Sequence, residues 1–286
     1  LRKQGAEVKV VMTENATKFV TPLTFQTMSN NVCHVEMFNQ LFNMDVEHIS
    51  LAKWADIIVI APATANVIGK FANGISDDML TTILMASRCP VMIAPGMNTV
   101  MLNSKANQNN LDILKERGVI VLDTATDILA CNDYGSGKML EPKEIVNEID
   151  TALAKKDLKG KNIVITAGPT IEPLDPVRYL TNHSSGKMGY ALAENAKKRG
   201  AKVTLISGPT TIQVPKVDNF VSVKTTRDMF EAVGEFFDKA DVLIKSAAPA
   251  DYRPKHYSDE KIKKTAQGDL DNIEMEKNPD IALHYL

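Results

Sequence analysis

The residues best equipped for chemistry follow an apolar run, Ile163-Val164-Ile165. They read Thr166-Ala167-Gly168-Pro169-Thr170, then Glu172-Pro173-Leu174-Asp175-Pro176-Val177-Arg178, then Asn182-His183-Ser184-Ser185-Gly186-Lys187-Met188-Gly189. Backbone amides of Gly and Ser, one guanidinium, one ammonium, one carboxamide and several hydroxyls make a set suited to a phosphorylated and carboxylated ligand. Helical patterning begins near Lys187. The stretch therefore reads as a long polar loop at the carboxyl end of a strand, where open α/β sheets bind ligands, and its prolines stiffen it.

Other constellations are weaker one by one. Ala61-Pro62-Ala63-Thr64-Ala65-Asn66 leaves a second apolar run with a hydroxyl, a carboxamide and free amides, able to read a flat polar heterocycle. An ordinary proline turn capping the next helix explains it equally well. Ala94-Pro95-Gly96-Met97-Asn98 repeats the arrangement after another strand, and two such loops at one sheet edge favour a site. His48 lies in a short helical pattern leading into a strand. A lone histidine is more often structural, and it becomes a base only through its company. Cys131 sits in a Gly-rich polar loop, Ala130 to Met139, with little for a structural thiol to pack against; such a loop could reach over a pocket. Cys33 and Cys89 read as buried small hydrophobes, with no zinc spacing and no disulfide framework. Gly137-Lys138-Met139 and Gly186-Lys187-Met188 lack the Ser or Thr of a phosphate-binding Walker loop. Ser246 to Pro254 leaves a strand carrying Asp251, and Lys261-Ile262-Lys263-Lys264 adds three cations of the kind a nucleoside triphosphate needs, or a solvated charged face.

The elements that must position these groups alternate. Leu1 to Ala6 reads as the last turn of a helix with a Gly cap, followed by strands at Val8–Met12, Ile57–Ile60, Val91–Ile93 and Val119–Leu122. The last three lack polar alternation, which predicts burial on both faces. Helices are expected at Asp77–Ala86, Asn107–Arg117 and Glu144–Lys156, and a charged linker closes the first domain. A second alternation follows: strand Ile163–Ala167, helix Lys187–Arg199, strand Val203–Ile206, helix Asp228–Phe237, strand Val242–Ile244. Only three clear strands stand there. The fold class is α/β with parallel sheets, in two domains, 1–155 and 161–286. The first is expected to lack its opening strand and loop, and the second to stop before its sheet is complete. The 286 residues carry a formal charge of -2, with 44% hydrophobic and 24% charged residues. That balance gives no electrostatic case for nucleic acid, and no apolar run reaches the roughly 18 residues of a membrane span. No signal peptide opens the chain, which predicts the cytoplasm.

In their order, the Ala-Pro-Ala-Thr-Ala-Asn loop, the Pro-Gly-Met-Asn turn, the Ala-Cys loop and the Asn-His-Ser-Ser-Gly-Lys-Met-Gly segment resemble one family. These are the bifunctional bacterial enzymes of coenzyme A biosynthesis, phosphopantothenate-cysteine ligase fused to phosphopantothenoylcysteine decarboxylase, and the resemblance spans essentially all 286 residues. It implies a flavodoxin-like first domain in which FMN oxidises the cysteinyl thiol to a thioaldehyde, carbon dioxide leaves and the electrons return. On the family's pattern His48 matches the base, Asn98 the holder of the substrate carboxylate and Cys131 the thiol that helps convert the enethiol to product. The resemblance further implies FMN contacts at Thr13, Ala61, Thr64 and Asn66, and substrate contacts at Met97, Asn98, Arg178 and Asn182.

The second domain is similar to the Rossmann-like ligase, which uses CTP and Mg2+ or another divalent cation to convert 4'-phosphopantothenate into an acyl-cytidylate that cysteine's amine then takes. Asn182 matches the acyl-intermediate step and Lys261 activation. Ser246, Ala247, Asp251, Lys261, Pro279, Asp280, Ile281 and Ala282 match the nucleotide's surroundings. Decarboxylase trimers and ligase dimers, combining into a dodecamer, are the implied assembly. The family's glycine-rich flavin phosphate loop is expected ahead of Leu1 and its remaining ligase strands after Leu286, while Asn132 stands where the family commonly has Gly. Two other readings stay open: a decarboxylase whose second domain is a scaffold, and a flavin-binding regulatory subunit. The set of His48, Asn98 and Cys131 weighs against the second of these.

Overall fold

The computed structural model describes residues 1–37, 46–128, 134–262 and 273–285. The chain divides into two compact units, Leu1–Leu153 and Ala154–Leu286.

The first unit opens with a 3-10 turn at Arg2–Gln4 that Gly5 ends in the left-handed region (φ 92°). It continues through β1 (Val10–Val11), α1 (Glu14–Thr17), α2 (Pro22–Ser29), β2 (Cys33–His34), α3 (Glu47–Trp54), β3 (Ile58–Ala63), α4 (Ala65–Ala72) and α5 (Met79–Ala86). Then come β4 (Val91–Pro95), α6 (Thr99–Asn103), α7 (Lys105–Glu116), β5 (Ile120–Val121), β6 (Ala125–Ile128), β7 (Tyr134–Lys138) and α8 (Pro142–Leu153). Strands β3, β4 and β5 pair in parallel in that order, β1 pairs in parallel with β2, and β6 pairs antiparallel with β7.

Alternation along β4 builds the two faces of the central sheet. Val91 and Ile93 pack with Val67 and Ile68 of α4 and Leu111 and Leu114 of α7. Met92 and Ala94 pack with Ile145 and Ile149 of α8 on the opposite face. Side chains buried this completely contribute roughly 1.5–3 kcal/mol each. The helices start where their capping residues stand. Thr64 accepts from the Val67 N–H, Ser104 from the Asn107 N–H, and Asp78 and Thr81 satisfy one another's backbone at the start of α5.

The second unit carries β8 (Asn162–Ala167), β9 (Ile171–Pro173), β10 (Tyr179–Thr181), α9 (Lys187–Lys198), β11 (Lys202–Ser207), β12 (Asn219–Ser222), α10 (Thr226–Phe237), β13 (Val242–Lys245), β14 (Tyr252–Pro254), β15 (Met275–Lys277) and α11 (Ile281–Tyr285). Its sheet is wholly parallel in the order β12-β11-β8-β13, so the strand order reverses between β8 and β13. Ile163 and Ile165 face Tyr190, Ala193 and Ala196 of α9. Val164 faces Met229 and Val233 of α10, so the helices cover opposite faces. Two antiparallel hairpins, β9–β10 and β14–β15, complete the unit.

Several sequence expectations are corrected. The strand expected over Val8–Met12 pairs only at Val10 and Val11, and Met12 adds a single bond, its N–H to the His34 carbonyl at 2.8 Å. Strand β3 runs on through Ala61-Pro62-Ala63, with a register shift against β4 between Ile60 and Ala63. Burial on both faces holds for all of β4 but only part of β3. The second unit's sheet has four strands, because the short half-exposed Asn219–Ser222 joins β11. The stretch after β8 is a hairpin, not a continuous loop, and residues 134–138 of the Gly-rich Cys131 loop form a strand. Helix α8 stops at Leu153, and the charged segment after it binds the end of α9: the Leu158 N–H donates to the Arg199 carbonyl (3.1 Å) and Arg199 pairs with Asp157.

Candidate functional site

In the first unit the polar groups gather where β3 and β4 end. Ile60 and Ala63 are buried while Ala61 and Pro62 between them are exposed, leaving a small apolar ledge at the strand's carboxyl end. The Gly96 N–H donates to the Ala63 carbonyl at 3.1 Å and locks the two loops together. A Cβ at Gly96 would come within 3.0 Å of Pro62 Cβ, so glycine keeps this junction narrow. Thr64 caps α4, and Asn66 is exposed in its first turn. Asn98 caps α6, its Oδ1 accepting from the Val100 N–H at 2.8 Å, and half-buried Met97 precedes it. Strand β7 is tied to the same turn: the Met97 N–H donates to the Gly137 carbonyl (2.9 Å) and Thr99 Oγ1 to the Ser136 carbonyl (2.6 Å). Gly137 has φ 126°, and a Cβ there would lie 2.2 Å from the Met97 carbonyl oxygen. The structure thus joins Ala61, Thr64 and Asn66 with Met97 and Asn98. A ledge flanked by a hydroxyl, two carboxamides and backbone groups fits a planar heterocycle that is apolar on its face and polar at its rim.

Thr13 caps α1 directly after β1, its hydroxyl accepting from the Ala16 N–H at 3.2 Å. His48 is half-buried in the first turn of α3. Cys131 and Asn132 lie outside the described residues. Burial pushes the Cys33 and Cys89 thiols up, which leaves them poor nucleophiles. Sequence reasoning missed His34. Its Nδ1 lies 2.6 Å from Glu47 Oε1, so the end of β2 is stapled to the helix turn that carries His48.

In the second unit the loops leaving β8 and β13 adjoin at the point where strand order reverses, the usual crevice for a ligand in an open parallel sheet. The Ala248 N–H donates to the Gly168 carbonyl (2.9 Å), and the Ala250 N–H to Thr170 Oγ1 (2.9 Å). Asn182 Nδ2 donates to the carbonyls of Ala248 (3.2 Å) and Pro249 (3.0 Å), which brings the β10 end onto the same loop. Asn278 closes the other side: its Nδ2 donates to the Ala250 carbonyl and its N–H to the Asp251 carbonyl, each at 2.8 Å.

Ser246, Ala247, Asp251, Asn182 and Pro279 therefore belong to one connected region. Ser246 Oγ is buried with no hydrogen-bond partner among the described residues, and Asp251 is exposed. A buried hydroxyl of this kind is satisfied by an ordered water, an ion or a ligand atom. Asp280 caps α11 through the Ala282 and Leu283 N–H groups, and those bonds hold its carboxyl below the usual carboxylate range. Ile281 is 3% exposed and packs with Val233 and Met229, so only its backbone can face a ligand. Ala282 sits beside Lys245 in a hollow of about 380 Å³, and Pro279 lines another of about 570 Å³ with Arg227, Arg253 and Lys277.

Arg178 is largely committed. Its Nε and Nη2 engage Asp175, and Nη2 also donates to the Ile262 carbonyl at 2.7 Å, which leaves the Nη1 edge without a partner among the described residues. Lys261 is exposed and has no partner among the described residues. Those residues contain no group of three His, Cys, Asp or Glu side chains arranged to hold a metal, and no helix long and apolar enough to cross a membrane.

Two parallel α/β units, each gathering polar residues at its strand ends, define a two-part α/β protein with a candidate ligand site in each part. Residues 1–154 match the family model described as Flavoprotein, and residues 158–285 the DNA/pantothenate metabolism flavoprotein C-terminal domain. The coenzyme A biosynthesis bifunctional protein CoaBC of Bacillus subtilis (strain 168) is 47% identical over 285 residues, covering 98% of this chain and 70% of that one. Its counterpart in Escherichia coli (strain K12) is 46% identical over 286 residues, with the same two coverages. Among solved structures, the C-terminal domain of a CoaBC protein is 49% identical with a TM-score of 0.38, over 43% of this chain and 57% of that one. The chain belongs to the CoaBC family of bifunctional coenzyme A biosynthesis proteins, and it is an enzyme.

Proposed function

We propose that the protein carries out two consecutive steps: CTP-dependent ligation of 4'-phosphopantothenate to cysteine, then FMN-dependent decarboxylation of the resulting 4'-phosphopantothenoylcysteine. The observation that carries the reading is the crevice between β8 and β13, where Asn182 grips the Ala248–Pro249 loop beside the Ser246 hydroxyl, which has no partner among the described residues.

For ligation, Ser246 Oγ, Ala247, Asp251 and the Pro279–Ala282 segment surround the nucleotide, with Ile281 contributing backbone only. The substrate phosphate sits at the start of α9, where Ser184, Ser185 and Gly186 precede twelve helical residues. The Nη1 edge of Arg178 faces the same ligand. A carboxylate is a poor acyl donor; its oxygen attacks the α-phosphorus of CTP, pyrophosphate leaves, and Lys261 offsets the negative charge that builds. Cysteine's amine then attacks the acyl carbon and CMP leaves, with Asn182 holding the Ala248–Pro249 loop through Nδ2 and offering its Oδ1 to the incoming amine. A divalent cation enters with the triphosphate as part of that substrate.

For decarboxylation, Ala61, Thr64 and Asn66 hold the FMN ring with Thr13, and Met97 and Asn98 hold the substrate, Asn98 through its carboxylate. FMN held by those residues would supply reversible two-electron redox chemistry at the cysteinyl group. His48 accepts the proton from the substrate thiol on an imidazole nitrogen, and the Cys131 thiol supplies a proton as the enethiol is converted to product.

The test separates the ligase half-reactions. Lys261→Gln should stop all but a residual pyrophosphate release, measurable in a single turnover, whereas Asn182→Asp should release pyrophosphate and form the acyl-cytidylate without passing it to cysteine. Equal loss of both steps in both variants contradicts these roles.

A further inference from the structure

The turn Leu174–Arg178 closes on itself, the Leu174 and Asp175 N–H groups donating to the Arg178 carbonyl at 2.9 and 3.2 Å. Inside it the Asp175 side chain is fully buried. Its Oδ1 accepts from the Val177 and Arg178 N–H groups at 2.8 and 2.7 Å, and its Oδ2 accepts from Arg178 Nε at 2.9 Å and from Nη2. Those bonds already satisfy a turn. Asp175 is fully buried while Arg178 keeps 31% of its side chain exposed; burying the carboxylate is costly to desolvate, and the turn's own bonds do not call for the guanidinium.

The pair reaches further. Asp175 Oδ2 also accepts from the Ile262 N–H at 3.2 Å, and Arg178 Nη2 donates to the Ile262 carbonyl at 2.7 Å. Both backbone groups of one residue, 87 positions along the chain, are thus held by one carboxylate and one guanidinium. The Ser258 N–H adds a bond to the Leu174 carbonyl at 3.1 Å. The residue next to the gripped backbone is Lys261, whose exposed side chain has no partner of its own among the described residues. On the other side, β10 leads directly from Arg178 to Asn182, four residues or about 13 Å of extended chain. One hairpin therefore carries Asn182 at one end and anchors the backbone of Ile262, the neighbour of Lys261, at the other.

We infer that Asp175, with Arg178, is a positioning residue: the pair clamps Ile262 so that the Lys261 ammonium is presented to the reacting carboxylate and nucleotide at a fixed distance from Asn182. The inference rests on the activating role of Lys261 proposed above. A loss of about 1 Å in placement costs on the order of 100-fold in rate, enough for a clamp to be worth its desolvation.

The experiment uses the whole enzyme and three readouts: hydrogen exchange at the Ile262 amide, single-turnover pyrophosphate release, and the same release in a Lys261→Gln background. Asp175→Asn should speed exchange at Ile262 and slow release by roughly 10- to 100-fold. Combined with Lys261→Gln it should add no further loss, because both changes remove one contribution. Unchanged exchange at Ile262 overturns the clamp, and so does an undiminished loss in the Lys261→Gln background, which would mean that Asp175 supports the whole site. Should Asp175→Asn fail to fold, Asp175→Ser keeps an oxygen for the turn's own N–H groups but loses the reach to Ile262 and should still free the Ile262 amide; protection equal to wild type overturns the clamp. Wild-type release by Lys261→Gln alone refutes the role of Lys261, while the exchange readout still scores the clamp.

Discussion

Gly189 lies inside α9, and a methyl group there should damage one activity and spare the other. A Cβ on Gly189 would stand 2.5 Å from Ala167 Cβ and 3.2 Å from both Ala167 Cα and the Thr166 carbonyl oxygen. Carbon atoms in contact rest about 3.5–4.0 Å apart, so the helix must retreat from β8 by roughly 1–1.5 Å. Overpacking of this kind costs about 1–3 kcal/mol, which lowers the melting temperature of the second unit by roughly 4–12 °C. The retreat drags the start of α9, Gly186 and the Asn182 segment with it, and a 1 Å misplacement costs on the order of 100-fold in rate. Gly189→Ala should therefore lose most pyrophosphate release, whereas decarboxylation, carried by the first unit, is retained. Gly69 in α4 is the contrasting helical glycine. Its Cβ would meet only Asn110 Nδ2 at 3.5 Å, so Gly69→Ala should stabilise by about 0.5–1 kcal/mol. Thermal melting and the two separate activity assays read both variants. An unchanged melting temperature together with unchanged pyrophosphate release in Gly189→Ala would refute the packing argument.

His48→Asn should keep bound flavin, measured by absorbance, while losing carbon dioxide release; normal turnover in a folded variant removes His48 from the mechanism. Cys131→Ser should still release carbon dioxide but yield a product two hydrogens lighter by mass spectrometry, since a hydroxyl keeps polarity and lacks thiol reactivity; fully reduced product alone contradicts that role. The hydrogen bonds from Arg178, ahead of those from the backbone, hold the Asp175 carboxyl well below the usual carboxylate range. A depressed folded-state value stabilises above the unfolded value near 3.9 and is lost as pH falls below it. The melting-temperature gap between wild type and Asp175→Asn should thus be constant from about pH 5 to pH 8 and narrow only below about pH 4, and a gap that closes near neutrality contradicts the assignment.

The strands legible in the sequence are those whose apolar runs need no partner to declare themselves. Ile163-Val164-Ile165 and Val91-Met92-Ile93 are buried on both faces, and their flanking helices show a 3.6-residue period. Asn219–Ser222 is short and alternates exposed with half-buried residues, so only its pairing with β11 makes it a strand. Tyr134–Lys138 contains two glycines and reads as a loop, yet bonds from Met97 and Thr99 hold it extended. The placement of Ser246 at a strand end was legible because the apolar run Val242-Leu243-Ile244 stops just before it, whereas Asn182 reads as part of a long loop and only the hairpin pairing of Tyr179–Thr181 puts it at a strand end. The grip of Asp175 and Arg178 on Ile262 and the staple between His34 and Glu47 join residues that share no local pattern, and only tertiary structure brings them together.

The central claim is that one protein couples activation by CTP to loss of carbon dioxide. The most direct measurement supplies carboxyl-labelled cysteine, phosphopantothenate, CTP and magnesium to the FMN-loaded enzyme and follows pyrophosphate and labelled carbon dioxide together. The account predicts that the two accumulate in equal amounts, pyrophosphate first, and that omitting CTP abolishes both while supplied phosphopantothenoylcysteine restores carbon dioxide alone. Labelled carbon dioxide released from cysteine without CTP, or pyrophosphate release that never leads to carbon dioxide, would contradict it.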